Sequence, residues 1–145
     1  MRRFFDTNVL VYLVDSSTPR KRARSQELFA EAVRQGVALL STQVLQEFFS
    51  VVTRKLPARL SHEVAAQAVR DFAQLPVARV EPEMILSAIE AMRRHRLSFW
   101  DSLIVQAALR GGATILYTED LQSGRAIETL TVEDPFQSLK GTDGL

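Results

Sequence analysis

The sequence has no cysteine and only two histidines, His62 and His95, among its 145 residues. Disulfides and thiolate nucleophiles are therefore excluded, and a zinc site of the usual cysteine and histidine kind lacks its ligands. No apolar run is longer than residues 9–14, far short of the roughly 20 residues that cross a bilayer. The opening Met-Arg-Arg-Phe-Phe-Asp lacks the apolar core and small-residue cleavage site of an export signal, so a cytoplasmic protein is expected. Neither sign of charge dominates. Lys and Arg number 18 against 17 Asp and Glu, and a net charge of +1 points to neither nucleic acid nor membrane. What remains for chemistry is oxygen: any metal held here is a hard ion bound by Asp and Glu.

Hydrophobic residues make up 46% of the chain and charged residues 24%, the balance of one globular domain. Residues 2–5 read as a buried first strand. Asp6 or Thr7 then caps a helix over the apolar run, and Pro19 opens a second helix that Gly36 closes. Residues 37–41 read as a strand, followed by a helix from Thr42 that Pro57 stops and another capped by Ser61. A strand over 77–80, a helix over 82–95, a helix from Ser98 to the Gly111-Gly112 pair and a strand over 113–117 complete the pattern. A weak fifth strand is expected at 130–132. Such alternation predicts an α/β fold: a three-layer α/β/α sandwich around a mostly parallel sheet of four to five strands. Residues 1–137 are expected to form the single domain, with 138–145 as a C-terminal tail.

Ligands of open parallel sheets collect at the carboxyl ends of the strands. Asp6 follows the first strand and Asp120 the fourth, although each, taken alone, also reads as a cap or turn residue. Glu47 lies roughly 40° from Val51 on a helical projection, at the border of an apolar arc. A solvated glutamate or an interhelix ion pair fits that position too. Asp101 shares a stripe with Leu97, Ile104, Val105 and Ala108, where an ionised carboxylate is costly unless paired or bound to a cation. Ser98-Phe99-Trp100-Asp101 also fits a capping box, and the two roles can coexist. No Lys or Arg lies in these stripes. Gathered carboxylates raise one another's pKa unless a cation joins them, and Mg²⁺ or Mn²⁺ would relieve that repulsion. A bound ion of this kind lowers the pKa of a water and neutralises charge developing on a phosphate.

The motifs Phe5-Asp6-Thr7-Asn8-Val9-Leu10, Gln46-Glu47-Phe48, Leu97-Ser98-Phe99-Trp100-Asp101-Ser102-Leu103-Ile104 and Tyr117-Thr118-Glu119-Asp120-Leu121 occur in order. Together they resemble a PIN domain, specifically the VapC-type ribonuclease toxins of bacterial toxin–antitoxin pairs. Glu133-Asp134-Pro135-Phe136 resembles the family's ending, with Asp134 where Asn is usual. The resemblance implies a PIN-like fold and an endoribonuclease dependent on Mg²⁺ or Mn²⁺. It implies a catalytic set of Asp6, Glu47, Asp101 and Asp120, with Asp6, Asp101 and Asp120 as metal ligands. Thr7, Asn8 and Thr118 match polar positions that hydrogen-bond the carboxylates or the scissile phosphate. Glu119, beside Asp120, is the alternative fourth acid. Attack by a metal-activated water would leave a 5′-phosphate and a 3′-hydroxyl. Partners implied are an RNA substrate, a cognate antitoxin and a second copy of the chain in a homodimer, with no membrane.

Arg20-Lys21-Arg22 with Arg24, and Arg93-Arg94-His95-Arg96, read most simply as solvated faces. The first run is the better candidate for contacts to RNA phosphates. Trp100 reads as a packing residue beside the capping box, with stacking on a base as the alternative, and both histidines read as solvated. Other classes fit less well. A response-receiver site wants a lysine after a late strand, and the lysines are Lys21, Lys55 and Lys140 alone. A haloacid-dehalogenase-type phosphatase wants Asp-x-Asp where this chain has Asp6-Thr7-Asn8. The nonenzymatic alternative is a PIN-like module that only binds RNA or docks a protein. Its mark would be a missing central acid, and none is missing.

Overall fold

Phe4, Phe5, Leu39, Leu40 and Leu116 are essentially without solvent exposure, and they fix which strands occupy the middle of the sheet. Runs of consecutive buried residues, rather than alternation, mark strands covered on both faces. The computed structural model describes residues 1–139. Its elements are β1 (Arg2–Phe5), α1 (Thr7–Tyr12), α2 (Pro19–Arg34), β2 (Ala38–Ser41), α3 (Thr42–Arg54), α4 (His62–Phe72) and β3 (Val77–Ala78). They continue with α5 (Pro82–His95), α6 (Phe99–Arg110), β4 (Ala113–Tyr117), β5 (Ala126–Ile127) and β6 (Leu130–Glu133), then a 3₁₀ turn at Gln137–Leu139. Leu139 packs on the core, so the expected tail begins within this turn, and its remainder from residue 140 lies outside the described residues.

The sheet runs β3-β2-β1-β4-β6-β5. Every pairing is parallel except β5 with β6. This is the mostly parallel, helix-flanked α/β arrangement that the strand–helix alternation predicts, with six strands in place of four to five. The additional strand, β5, has two residues, too few for any periodic signal. Its tight turn into β6 places Glu128 at φ 54°, where Gly or Asn would have announced a hairpin. The third strand is also shorter than the expected 77–80, ending at Ala78.

Local chemistry places the helices. Asp6 caps α1 by accepting from the Thr7 amide, and Ser41, Ser61 and Ser98 cap α3, α4 and α6 by accepting from Val44, Val64 and Asp101. Pro19 and Pro82 sit in the first turns of α2 and α5. Gly112, at φ 80°, lets α6 turn directly into β4. An edge-to-face series of rings, Phe5 to Phe29, Phe29 to Phe72 and Phe72 to Phe48, ties α2, α4 and α3 to β1 with centroids 5.1 to 5.6 Å apart. Each such pair adds about 0.5–1.5 kcal/mol beyond its buried area.

Candidate active site

From β1 the chain proceeds to β2 on one side, while β4 lies on the other, so the strand order reverses between β1 and β4. A crevice opens at such a point beyond the strand ends. Phe5 pairs in register with Tyr117, which brings the next residues, Asp6 and Thr118, together. The Thr118 hydroxyl donates to Asp6 Oδ2 at 2.8 Å, and the Thr7 amide donates to Oδ1 at 2.7 Å. Thr118 Oγ1 also accepts from the Asp120 amide at 3.1 Å and from Asn8 Nδ2 at 3.4 Å. One buried hydroxyl thus joins Asp6, Asn8 and the turn that carries Asp120.

The other acids come from the helices. Glu47 projects from α3, and its Oε1 accepts from the Thr7 hydroxyl at 2.6 Å. Asp101 stands in the first turn of α6. Ser98 Oγ accepts from its amide at 3.1 Å, while its carboxylate makes no return bond among the described residues, so the cap and the site coexist. Asp6, Thr7, Asn8, Glu47, Asp101 and Asp120 line one cavity of about 510 Å³. Thr118 lies beneath it, fully buried. Glu119 is not among the lining residues. It accepts from the Tyr12 hydroxyl and pairs with Lys21 at 3.0 Å. The backbone turn therefore separates the two neighbouring acids, with Asp120 on the cavity and Glu119 in an ion pair.

Burial pushes the Asp6 carboxyl up to about 7. The bonds from Thr118 and Thr7 pull it down, and the charges of Asp120 and Glu47 push it further up. Asp120 is raised as well, first by partial burial; a bond from Asn8 opposes this, and Asp101, Glu119 and Glu47 add to it. Asp6 and Asp120 are thus each raised further by the charges of neighbouring acids. The donor set is all oxygen, and Asn8 Oδ1 is buried without a hydrogen-bond partner. These features fit a hard divalent cation. Among the described residues no three acids already converge on one point.

Several residues of the cavity carried no signal of their own in the sequence. Gln43, Val51 and Lys55 lie on α3 and at its end at intervals of four from Glu47, so one helical stripe forms a wall. That spacing was the available clue. Tyr12 and Asp15 line the cavity as well. Trp100 differs from its expectation as a packing residue: it is 62% exposed and lines the cavity. The first basic run is partly engaged within the protein, Lys21 with Glu119 and Arg24 Nε donating to the Pro135 carbonyl at 3.1 Å. His95 is half-buried against Glu128 rather than solvated, at 3.3 Å. No helix among the described residues is long and apolar enough to cross a membrane.

No curated protein matches the sequence. Among solved structures, the chain is similar to VapC20 of Mycobacterium tuberculosis, described as a sarcin–ricin-loop-cleaving toxin. The identity is 22% over 81% of this chain and 89% of that one, with a TM-score of 0.64. A toxin–antitoxin complex from Klebsiella pneumoniae is similar over 92% and 97% of the two chains, at 14% identity and a TM-score of 0.69. DNA-bound VapBC from Salmonella typhimurium is similar over 93% and 98%, at 18% identity and 0.65. These likenesses are likenesses of fold. The PIN domain family profile matches residues 3–126, most of the length, and the chain belongs to the PIN domain family.

Proposed function

We propose that residues 1–137 act as a metal-dependent endoribonuclease, the toxin of a toxin–antitoxin pair, cytoplasmic, homodimeric and silenced by a cognate antitoxin. The observation that carries this reading is the set of four acids on one cavity at the sheet's switch point, with the buried Asp6 pushed up to about 7. The fold likeness to toxin–antitoxin proteins supports the choice of RNA and of an antitoxin partner.

Asp6, Asp101 and Asp120 would hold Mg²⁺ or Mn²⁺, which when bound supplies a water of lowered pKa and offsets charge developing on the phosphate. Thr118 and the Thr7 amide donate to Asp6 and favour its ionised form against burial. Thr7 fixes Glu47 through a 2.6 Å bond, leaving its second oxygen to accept from the attacking water. Asn8 donates to Thr118 Oγ1 and, through a side-chain bond to Asp120, favours the ionised form of that carboxyl. In-line attack would leave a 5′-phosphate and a 3′-hydroxyl.

The test is cleavage of a labelled RNA panel and matched DNA by purified protein in Mg²⁺, Mn²⁺ or EDTA. Asp6→Asn and Asp101→Asn variants, checked for folding, are run alongside. Metal-dependent RNA cleavage that disappears in both variants is the expected result. Folded, antitoxin-free protein that binds RNA but cuts nothing would overturn it in favour of a binding module.

A further inference from the structure

Gln43, Glu47, Val51 and Lys55 recur every four residues, so they form a single line of side chains along one wall of the acidic cavity. From Gln43 to Lys55 that line extends about 18 Å at helical rise. Its two ends differ from its middle. At one end, Gln43 Nε2 donates to the Trp100 carbonyl at 3.4 Å, which fixes the start of α6 beside the start of α3. The Trp100 ring, 62% exposed, lines the cavity and meets Phe99 edge-to-face at 5.0 Å rather than by stacking. At the other end, Lys55 is exposed and has no ion pair among the described residues. Among the described residues it is the one lysine or arginine that lines a cavity otherwise rich in carboxylates. An unpaired ammonium and an exposed indole flanking a phosphate-cleaving centre are complementary to a single polynucleotide strand. The cation suits a phosphate and the indole suits the face of an unpaired base.

We propose that this line is the track of a single-stranded RNA, with a base stacked on Trp100 beside the scissile phosphate and a flanking phosphate on Lys55. The proposal rests on the ribonuclease reading and makes it more specific, since a stacked base has to be unpaired. A base in a duplex keeps its faces covered by its neighbours.

Trp100 is the only tryptophan in the sequence, so the unmodified protein carries its own probe. Intrinsic fluorescence is followed in EDTA, where cleavage does not interfere, while short oligoadenylate, oligouridylate or a duplex of matched length is added. Solvent-type emission that is quenched by the single strands and much less by the duplex is expected. Trp100→Ala is expected to weaken binding, read by anisotropy of a labelled strand, on the order of ten- to a hundred-fold, with Trp100→Phe retaining most of the affinity. Lys55→Ala is expected to lower the salt dependence of binding by about 0.7 in log–log slope, and Lys55→Arg to restore it. Emission already of the buried type and unmoved by RNA would assign Trp100 to a protein interface and overturn the track. Equal response to duplex and single strand, or unchanged affinity in Trp100→Ala, would overturn it too. Metal-dependent RNA cleavage without any fluorescence response would refute the track and leave the nuclease. Quenching by single strands without cleavage would refute the nuclease and leave the track.

Discussion

Replacing Asp6 with asparagine should make the metal-free protein more stable at neutral and alkaline pH while abolishing its chemistry. Asp6 is 6% exposed, and its carboxyl is raised from 3.8 to about 7, burial being the largest cause. Below about pH 4 the group is protonated in both folded and unfolded chains, and its ionisation costs the fold nothing. Between about pH 4 and 7 the unfolded chain has released the proton that the folded chain retains, so stability falls as pH rises. Above about 7 the penalty is fully present, at most about 4 kcal/mol for a shift near three units. An asparagine oxygen replaces two carboxylate acceptors, and one of the bonds from Thr7 or Thr118 is lost, costing about 1–2 kcal/mol. The expected net gain for Asp6→Asn is about 2 kcal/mol at pH 8 and none at pH 4.5. At this chain length that raises Tm by about 4–8 °C. Thermal melts by circular dichroism in EDTA at the two pH values measure it. Added Mg²⁺ should raise the wild-type Tm at pH 8 and leave the variant nearly unchanged. A variant less stable than wild type at pH 8, or two proteins with the same pH dependence, would refute the reasoning.

Thr118→Val removes the hydroxyl that favours ionised Asp6 and anchors the Asp120 amide; cleavage at pH 7 should fall at least tenfold and the pH optimum should rise, with an unmoved pH profile counting against this role. Glu119→Gln should keep cleavage within a few-fold of wild type, while Asp120→Asn loses most of it; the reverse order in a side-by-side rate assay would make Glu119 the fourth acid. Gly111→Ala should destabilise by about 1–3 kcal/mol in urea melts, because its Cβ would lie 2.3 Å from Cδ2 of the buried Leu39.

Asp6 and Asp120 were legible because strand ends can be read from short runs, and a parallel sheet gathers its carboxyl ends on one side. Asp101 was legible for a different reason, a charge on an apolar stripe with no partner nearby in sequence. Contacts between residues distant along the chain left no local trace. Lys21 reads as part of a basic surface run, and nothing around it indicates an ion pair with a glutamate 98 residues further on. Trp100 reads as core next to a cap, and its exposure follows from where α6 begins against the cavity, which no local pattern announces. β5 depends on two residues and a turn without glycine, and its existence follows from β6 offering an edge rather than from the preference of Ala126 and Ile127.

The hydroxyl of Thr118 meets Asp6 across 112 positions of chain. A polypeptide emerging from the ribosome presents Asp6 and Glu47 early, but neither Thr118 nor the strand that brings it to β1. Contacts of such long range form late in folding as well as late in synthesis. Chains that stop short of Thr118 therefore lack the hydroxyl that joins Asp6 to the turn of Asp120. The proposed centre assembles only once synthesis has passed β4 and the turn that carries Asp120.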